Sequence, residues 1–165
     1  MKKLLITLLM LLTLGAAARP GDQNPQLRSL VSSYKGTEGF EIVDIGSIGL
    51  GLLKAAARTA AETPEDREAL ELFNGLKRLT IVDFSEADPA VRAKFLRKAD
   101  KIILKNGELL MEAKDGSETV RIFGTSSKDG NLLEDIVILA DDALISVRGK
   151  IRTDQIGELM KQADK

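Results

Sequence analysis

The chain has 165 residues, with 24 Lys and Arg residues against 25 Asp and Glu residues, and it contains no His, Cys or Trp. This length suits one domain together with a segment that is removed by processing. The absence of Cys and His excludes a thiol nucleophile, a disulfide framework, a Cys/His zinc site and an imidazole base. Any catalysis would need carboxylates, Lys, Tyr34, hydroxyls or a borrowed cofactor, and we assign no catalytic residue, no metal and no cofactor from the sequence.

The N-terminus has the pattern of a secretory signal peptide. Lys2 and Lys3 form a short positive region, residues 4–14 are apolar but too few to span a bilayer, and Gly15 precedes three alanines. We expect cleavage after Ala18; a retained membrane anchor is the alternative. Lipidation at this site would need a Cys, and the chain has none. The sequence thus predicts an exported protein, periplasmic or loosely associated with the envelope, and not a lipoprotein.

Removal of the signal peptide changes the charge of the chain. Loss of Lys2 and Lys3 leaves 22 basic against 25 acidic residues, a net charge of about −3. An exported, mildly acidic protein is a poor candidate for nucleic-acid binding. We expect no integral membrane span after cleavage, a short polar leader over 19–24, and a single domain over 25–165.

Helix and strand signals follow one another along the mature chain. A capping residue precedes proline at Asn24-Pro25, Thr63-Pro64 and Asp88-Pro89, which marks three helix starts. Asp115-Gly116, between two alternating apolar runs, predicts a β-hairpin. The predicted elements are a helix from Pro25 to Tyr34, a strand over 40–45, a helix over 52–61, a helix from Thr63, a strand over 77–84, a helix over 88–104, strands over 108–114, 118–124, 132–140 and 143–149, and a helix over 153–162.

This order of elements favours an α+β fold. In the predicted architecture, helices pack on one face of a largely antiparallel sheet, with a C-terminal four-stranded meander and a short closing helix. Strand order and oligomeric state do not follow from the pattern.

The second half of the chain carries a family resemblance. It runs from KFLRKADKIILKNGELLMEAKDGSETVRIFG through LEDIVILADDALISVRGKIRTDQIGELM, which reads as a helix, two hairpins and a closing helix. With the signal peptide and the strand over 40–45, this order resembles the exported family called domain of unknown function DUF4252. The resemblance implies an envelope protein of Gram-negative bacteria, and it brings no agreed catalytic residues to carry over.

Glycines at 46, 49 and 51 lie between a predicted strand and a predicted helix, where a phosphate-binding loop would lie. A P-loop needs Lys and then Ser or Thr after its last glycine, but Leu52 and Leu53 stand there. A dinucleotide fingerprint needs a further glycine at the position of Lys54. Both motifs fail, so we interpret these glycines as allowing a sharp turn and close packing on the sheet.

Acidic residues interrupt the most apolar predicted strand at Glu134 and Asp135. A carboxylate on a buried face would have a raised pKa and would suit acid–base catalysis, whereas a strand start that projects beyond the core would leave both acids in water. Calcium is a third use for these acids, with Asp129-Gly130-Asn131 and Asp141-Asp142 nearby in the sequence. The EF-hand pattern fails, because Ser127 and Lys128 stand where acids are needed, and turn chemistry explains these residues without a metal.

A basic stripe is the most informative charged feature. Five basic residues on the predicted helix over 88–104 and its end recur at i, i+3, i+4, i+7 and i+11, which places them on one side. They are Lys94, Arg97, Lys98, Lys101 and Lys105. Three readings stay open: a solvated surface, pairing with the acidic segment over 62–71, and docking on an anionic partner, either an envelope protein or an anionic headgroup.

The leading functional hypothesis is a non-enzymatic binding or interaction module of the envelope. A sensory or regulatory role is one form of this hypothesis. Its motivation is the coherent basic stripe in a chain that lacks catalytic motifs. One alternative is a carboxylate-based hydrolase acting on envelope polysaccharide, which needs two carboxylates at a fixed separation. Another is a small-lipophile carrier, which needs an apolar cavity of several hundred Å³.

Overall fold

The computed structural model describes residues 24–60, 73–116, 118–126 and 130–152. The helices are α1 (Pro25–Ser33), α2 (Ser47–Ala60) and α3 (Pro89–Asn106), with a short 3-10 helix at Phe73–Gly75. The strands are β1 (Glu41–Ile45), β2 (Leu76–Asp83), β3 (Glu108–Asp115), β4 (Glu118–Ser126), β5 (Leu132–Ala140) and β6 (Ala143–Arg152). The predicted helix from Thr63 and the predicted closing helix over 153–162 lie outside the described residues.

The six strands form one antiparallel sheet in the order β1-β2-β6-β5-β4-β3. The last four strands in the chain are neighbours in sequence order, so the predicted C-terminal meander is confirmed, as is the α+β class. β1 and β2 complete the sheet by pairing with each other and by placing β2 against β6. This arrangement makes β2 and β6 neighbouring interior strands, so residues from both halves of the chain meet there.

Helices cover both faces of the sheet. α1 and α3 pack on the face that carries Val82 and Leu144, whereas α2 packs through Leu50 against Leu79 and Ile81 on the other face. The expected placement of all helices on one face therefore holds for α1 and α3 but not for α2. The reason is that β2 places adjacent apolar residues, Ile81 and Val82, on opposite faces, so each face needs a cover.

The helix starts follow the predicted capping signals. The Asn24 side chain accepts a hydrogen bond from the Leu27 N–H at 3.1 Å, and Asp88 accepts from the Ala90 N–H at 2.9 Å. In contrast, α2 begins at Ser47, earlier than the predicted start at Leu52. The glycines at 49 and 51 therefore lie inside the helix. A Cβ at Gly49 would lie 2.8 Å from the Ile45 Cγ2 atom, which supports the interpretation of close packing.

Four aromatic rings hold α1 and α3 on the sheet. Tyr34 follows α1, Phe40 precedes β1, Phe84 follows β2 and Phe95 belongs to α3. Their contacting ring pairs have centroids 4.8 to 5.7 Å apart. Phe84 and Phe95 are fully buried. Because aromatic pairs at this spacing contribute beyond their buried area, this cluster is the main tertiary link between the two helices and the strands.

We expect Phe95→Ala to destabilise the fold by about 3–5 kcal/mol, because it removes a fully buried ring that contacts three other rings. Urea unfolding followed by circular dichroism measures this change. The matched control on the same helix is Leu104→Ala, at a residue that is 54 % exposed, and it should change stability by less than about 1 kcal/mol. Equal losses in the two variants would contradict the assignment of the aromatic cluster.

Candidate functional site: a basic helix face and a charged groove

The basic stripe lies on the outer side of α3. All five of its residues are exposed, while Phe95, Ala99 and Ile103 on the other side of the helix are buried in the core. The amphipathic arrangement predicted from the spacing is therefore present. The four stripe residues from Lys94 to Lys101 each lie within one helical turn of their neighbour in the stripe. Their positive charges therefore reinforce one another at the surface.

Within the part of the chain that the structure describes, no stripe residue forms an ion pair. The one acid of α3, Asp100, turns toward the sheet instead and accepts a hydrogen bond from Arg121 of β4 at 2.6 Å. This contact ties α3 to β4 and leaves the stripe without an acid on its own helix. The acidic segment over 62–71, which the sequence analysis considered as a pairing partner of the stripe, lies outside the described residues.

A second charged feature, which the sequence analysis did not predict, lies where α1 meets the sheet. The sheet face under α1 has successive rows of side chains, each running across paired strands. The first row is apolar (Ile42, Val82, Leu144 and Leu139), the second is mostly polar (Asp44, Thr80, Ser146 and Val137), and the third pairs Arg78 with Arg148. The sheet face thus changes from core to charged surface along its strands.

Asp44 and Arg78 form a two-point ion pair in this region. The Arg78 guanidinium donates from Nε and from one terminal nitrogen to the two Asp44 oxygens at 2.7 and 2.6 Å, and Thr80 donates to the same carboxylate at 3.0 Å. Burial acts to raise the pKa of Asp44, but Arg78, Thr80 and the nearby charge of Lys35 outweigh it and lower the pKa below its usual value. Asp44 is thus held as an anion.

Asp135 reaches the same region through an irregular backbone. Its φ is 50°, a left-handed conformation that few residues other than glycine adopt, and the pairing of β5 with β6 shifts register at this point. The Asp135 Oδ1 atom lies 3.9 Å from Arg148 Nε.

Gly149, next to Arg148, has a φ of 147°, and a Cβ there would lie 2.2 Å from the Gly75 carbonyl oxygen. Tight strand packing therefore requires glycine at this position.

Together these residues line a groove, which we call the charged groove. One wall comes from α1 and the turn after it, and the floor comes from β1, β2, β5 and β6. Its lining residues are Asn24, Leu27, Arg28, Val31, Ser32, Lys35, Ile42, Asp44, Arg78, Thr80, Asp135, Val137, Ser146 and Arg148. The groove has a volume of about 70 Å³. That is room for a few water molecules or a small chemical group.

The acidic side chains of Glu134 and Asp135 are neither fully exposed to solvent nor fully buried. Their side chains are 26 % and 24 % exposed, and each lies beside a basic residue of β6, Lys150 at 3.4 Å and Arg148 at 3.9 Å. Asp141, considered for calcium, lies in the turn between β5 and β6 and accepts a hydrogen bond from the Thr119 N–H at the start of β4 at 2.9 Å. Among the described residues, no three acidic side chains gather in a way that would hold a metal ion.

A signal for the charged groove was present in the sequence. Asp44 lies two residues after Ile42, and Ser146 lies two residues after Leu144. Residues two apart point to the same side of a strand, so these polar residues share a side with core residues. Such polar positions in phase with a core indicate either a strand end in water or a lined cleft. The pairing of β2 with β6, which joins distant parts of the chain, brings the groove together.

One protein family matches most of the chain. The family described as domain of unknown function (DUF4252) matches residues 34–159. The chain belongs to this family. The match covers α2, α3 and the whole six-stranded sheet, and it begins at the end of α1, so the first part of the groove wall lies before it.

No match was found among the curated proteins or among the solved structures. In the ranges that the structure describes, no helix combines the length and the apolar character needed to cross a bilayer.

We expect Asp44→Asn to lower the free energy of unfolding at pH 7 by about 2 kcal/mol, because it breaks a charged contact with a mostly buried Arg78. A lowered carboxyl pKa stabilises the fold above the unfolded value near 3.8, and this contribution is lost as pH falls through the folded pKa. The difference between wild type and variant should therefore shrink below about pH 4. Urea unfolding at several pH values measures it.

Glu41→Gln is the control for this experiment, since Glu41 lies on the same strand and is exposed. It should leave the stability and its pH dependence close to those of the wild type. A stability difference for Asp44→Asn that stays constant to low pH would show that the Asp44 charge is not what stabilises this contact.

Proposed function

We propose that this protein is an exported, non-enzymatic binding module of the bacterial envelope, and that it docks on an acidic protein surface through the basic stripe of α3. The observation that carries the proposal is the exposure of all five stripe residues on one helix side, while the single acid of that helix contacts Arg121. A positive surface of this kind attracts a negatively charged partner and speeds its association.

An acidic protein is favoured over a lipid headgroup by the placement of the aromatic residues. Helices that lie in a membrane interface use aromatic and other large apolar residues as anchors beside their basic residues. Here the aromatic residues whose burial the structure describes lie in the core, including Phe95 on the inner side of α3. Among the large apolar residues of α3, Leu104 is the exposed one, and one leucine provides little interfacial anchoring.

In-cell crosslinking of the tagged, exported protein tests this function. The variant Lys94→Gln/Lys98→Gln/Lys101→Gln removes three charges from the stripe. At about 0.5 kcal/mol for each exposed charge contact, it should weaken capture of the partner by about tenfold. Mass spectrometry of the captured material measures this loss.

The control variant removes three lysines elsewhere, Lys54→Gln/Lys77→Gln/Lys114→Gln, and so changes net charge by the same amount. It should capture the partner as well as the wild type does. Equal capture by both variants would exclude the stripe as the docking surface. Binding to anionic vesicles that is lost in the stripe variant, with no captured protein, would instead assign the stripe to a lipid surface.

Export is part of the proposal and has its own test. We expect the mature protein to begin at Arg19, because three small residues precede this position and follow the apolar region. Intact-mass measurement of the protein from the periplasmic fraction identifies the first residue. Leu8→Arg should block export, since a charge interrupts the apolar region. A mature protein that retains residues 1–18 would support the membrane-anchor alternative.

The two alternative functions receive less support from the charged groove. A glycosidase acid needs a raised pKa, whereas the pKa of Asp44 is lowered. A lipophile carrier needs several hundred Å³ of apolar space, and this groove has a volume of about 70 Å³.

A further inference from the structure

We propose that the charged groove is a binding site for a small organic carboxylate, one that carries a short apolar chain. This site is independent of the proposed function, because the groove lies between α1 and the sheet and shares no residue with the basic stripe.

The charge of the groove selects an anion. Four cationic side chains line it, Arg28 and Lys35 from α1 and the turn after it, and Arg78 and Arg148 from the sheet floor. Two carboxylates, Asp44 and Asp135, lie among them. Among the described residues that line the groove, four basic side chains thus outnumber two acidic ones, in a chain whose total charge is slightly negative. A cationic ligand would meet this excess of like charge.

The floor of the groove is fixed before any ligand arrives. Asp44 holds Arg78 through two hydrogen bonds, and Arg78 and Arg148 are direct partners across β2 and β6. The side chains of Arg78 and Arg148 are 12 % and 22 % exposed, so both guanidinium groups lie in a recess with less solvent than the surface. Charges in such a recess interact more strongly with an anion than exposed charges do.

The apolar side chains of the groove indicate that the ligand also has an apolar part. Leu27 and Val31 of α1 face Ile42 and Val137 of the sheet across the same space. Inorganic phosphate would leave these side chains in contact with a fully hydrated anion, whereas a short carbon chain would bury against them. The small volume excludes a long fatty acid. Charge, apolar contact and size together point to a short-chain carboxylate.

The experiment titrates sodium butyrate into the purified mature protein and follows the amide resonances by NMR. We expect saturable shifts for residues that line the charged groove. n-Butylamine, of similar size and opposite charge, should produce none. Sodium phosphate should bind at least tenfold more weakly than butyrate. Absence of saturable shifts with butyrate, or equal binding of butylamine, would overturn the proposal, and equal or tighter binding of phosphate would overturn the choice of an organic acid.

Two variants locate the binding. Arg148→Gln should weaken butyrate binding at least tenfold, because it removes a recessed positive charge. Ser32→Trp should weaken butyrate binding by the same factor, because the large side chain would block the groove wall. Ser32 is exposed, so this variant should fold even if Arg148→Gln is unstable. Ser33→Trp is the control, because Ser33 is also exposed on α1 but does not line the groove. Unchanged affinity in Ser32→Trp, or an equal loss in Ser33→Trp, would overturn the assignment.

Discussion

The aromatic cluster of Tyr34, Phe40, Phe84 and Phe95 is the contact on which the described structure most depends. It joins the end of α1, the entry to β1, the end of β2 and the middle of α3. With no disulfide available, packing has to supply this link. The cluster fixes α1 above the sheet, and this position creates the wall of the charged groove. It also turns the inner side of α3 to the core and leaves the basic stripe outside.

The two charged features differ in how the fold makes them. The basic stripe is local, because a regular helix spacing places its residues together whatever the rest of the chain does. The charged groove depends on β2 meeting β6, which places Arg78 beside Arg148 although they are far apart in sequence. Exposed charges suit a broad contact with another macromolecule, whereas recessed charges beside apolar side chains suit a small ligand. This difference is why we assign the two features to different kinds of partner.

Most elements of the fold were predictable because their signals are short-range. Asn24-Pro25 and Asp88-Pro89 gave helix starts that the structure confirms, and Asp115-Gly116 lies at the turn of a hairpin. The start of α2 was not predicted, since glycine signals a break in isolation, yet Gly49 lies inside the helix where it packs closely on Ile45. The cover of both sheet faces follows from apolar residues on both sides of β2, a feature that becomes decisive only where a strand lies between two others in a sheet.

The sequence by itself determined the α+β class, the succession of strands, the basic side of α3 and the absence of Cys and His chemistry, because composition and local periodicity encode these properties. The tertiary structure decided the strand order, the placement of α2 and the charged groove. These depend on pairing between distant segments and on the left-handed backbone of Asp135 at a register shift. The pattern of single strands does not specify which neighbour each strand will meet, and that choice of neighbour creates the groove.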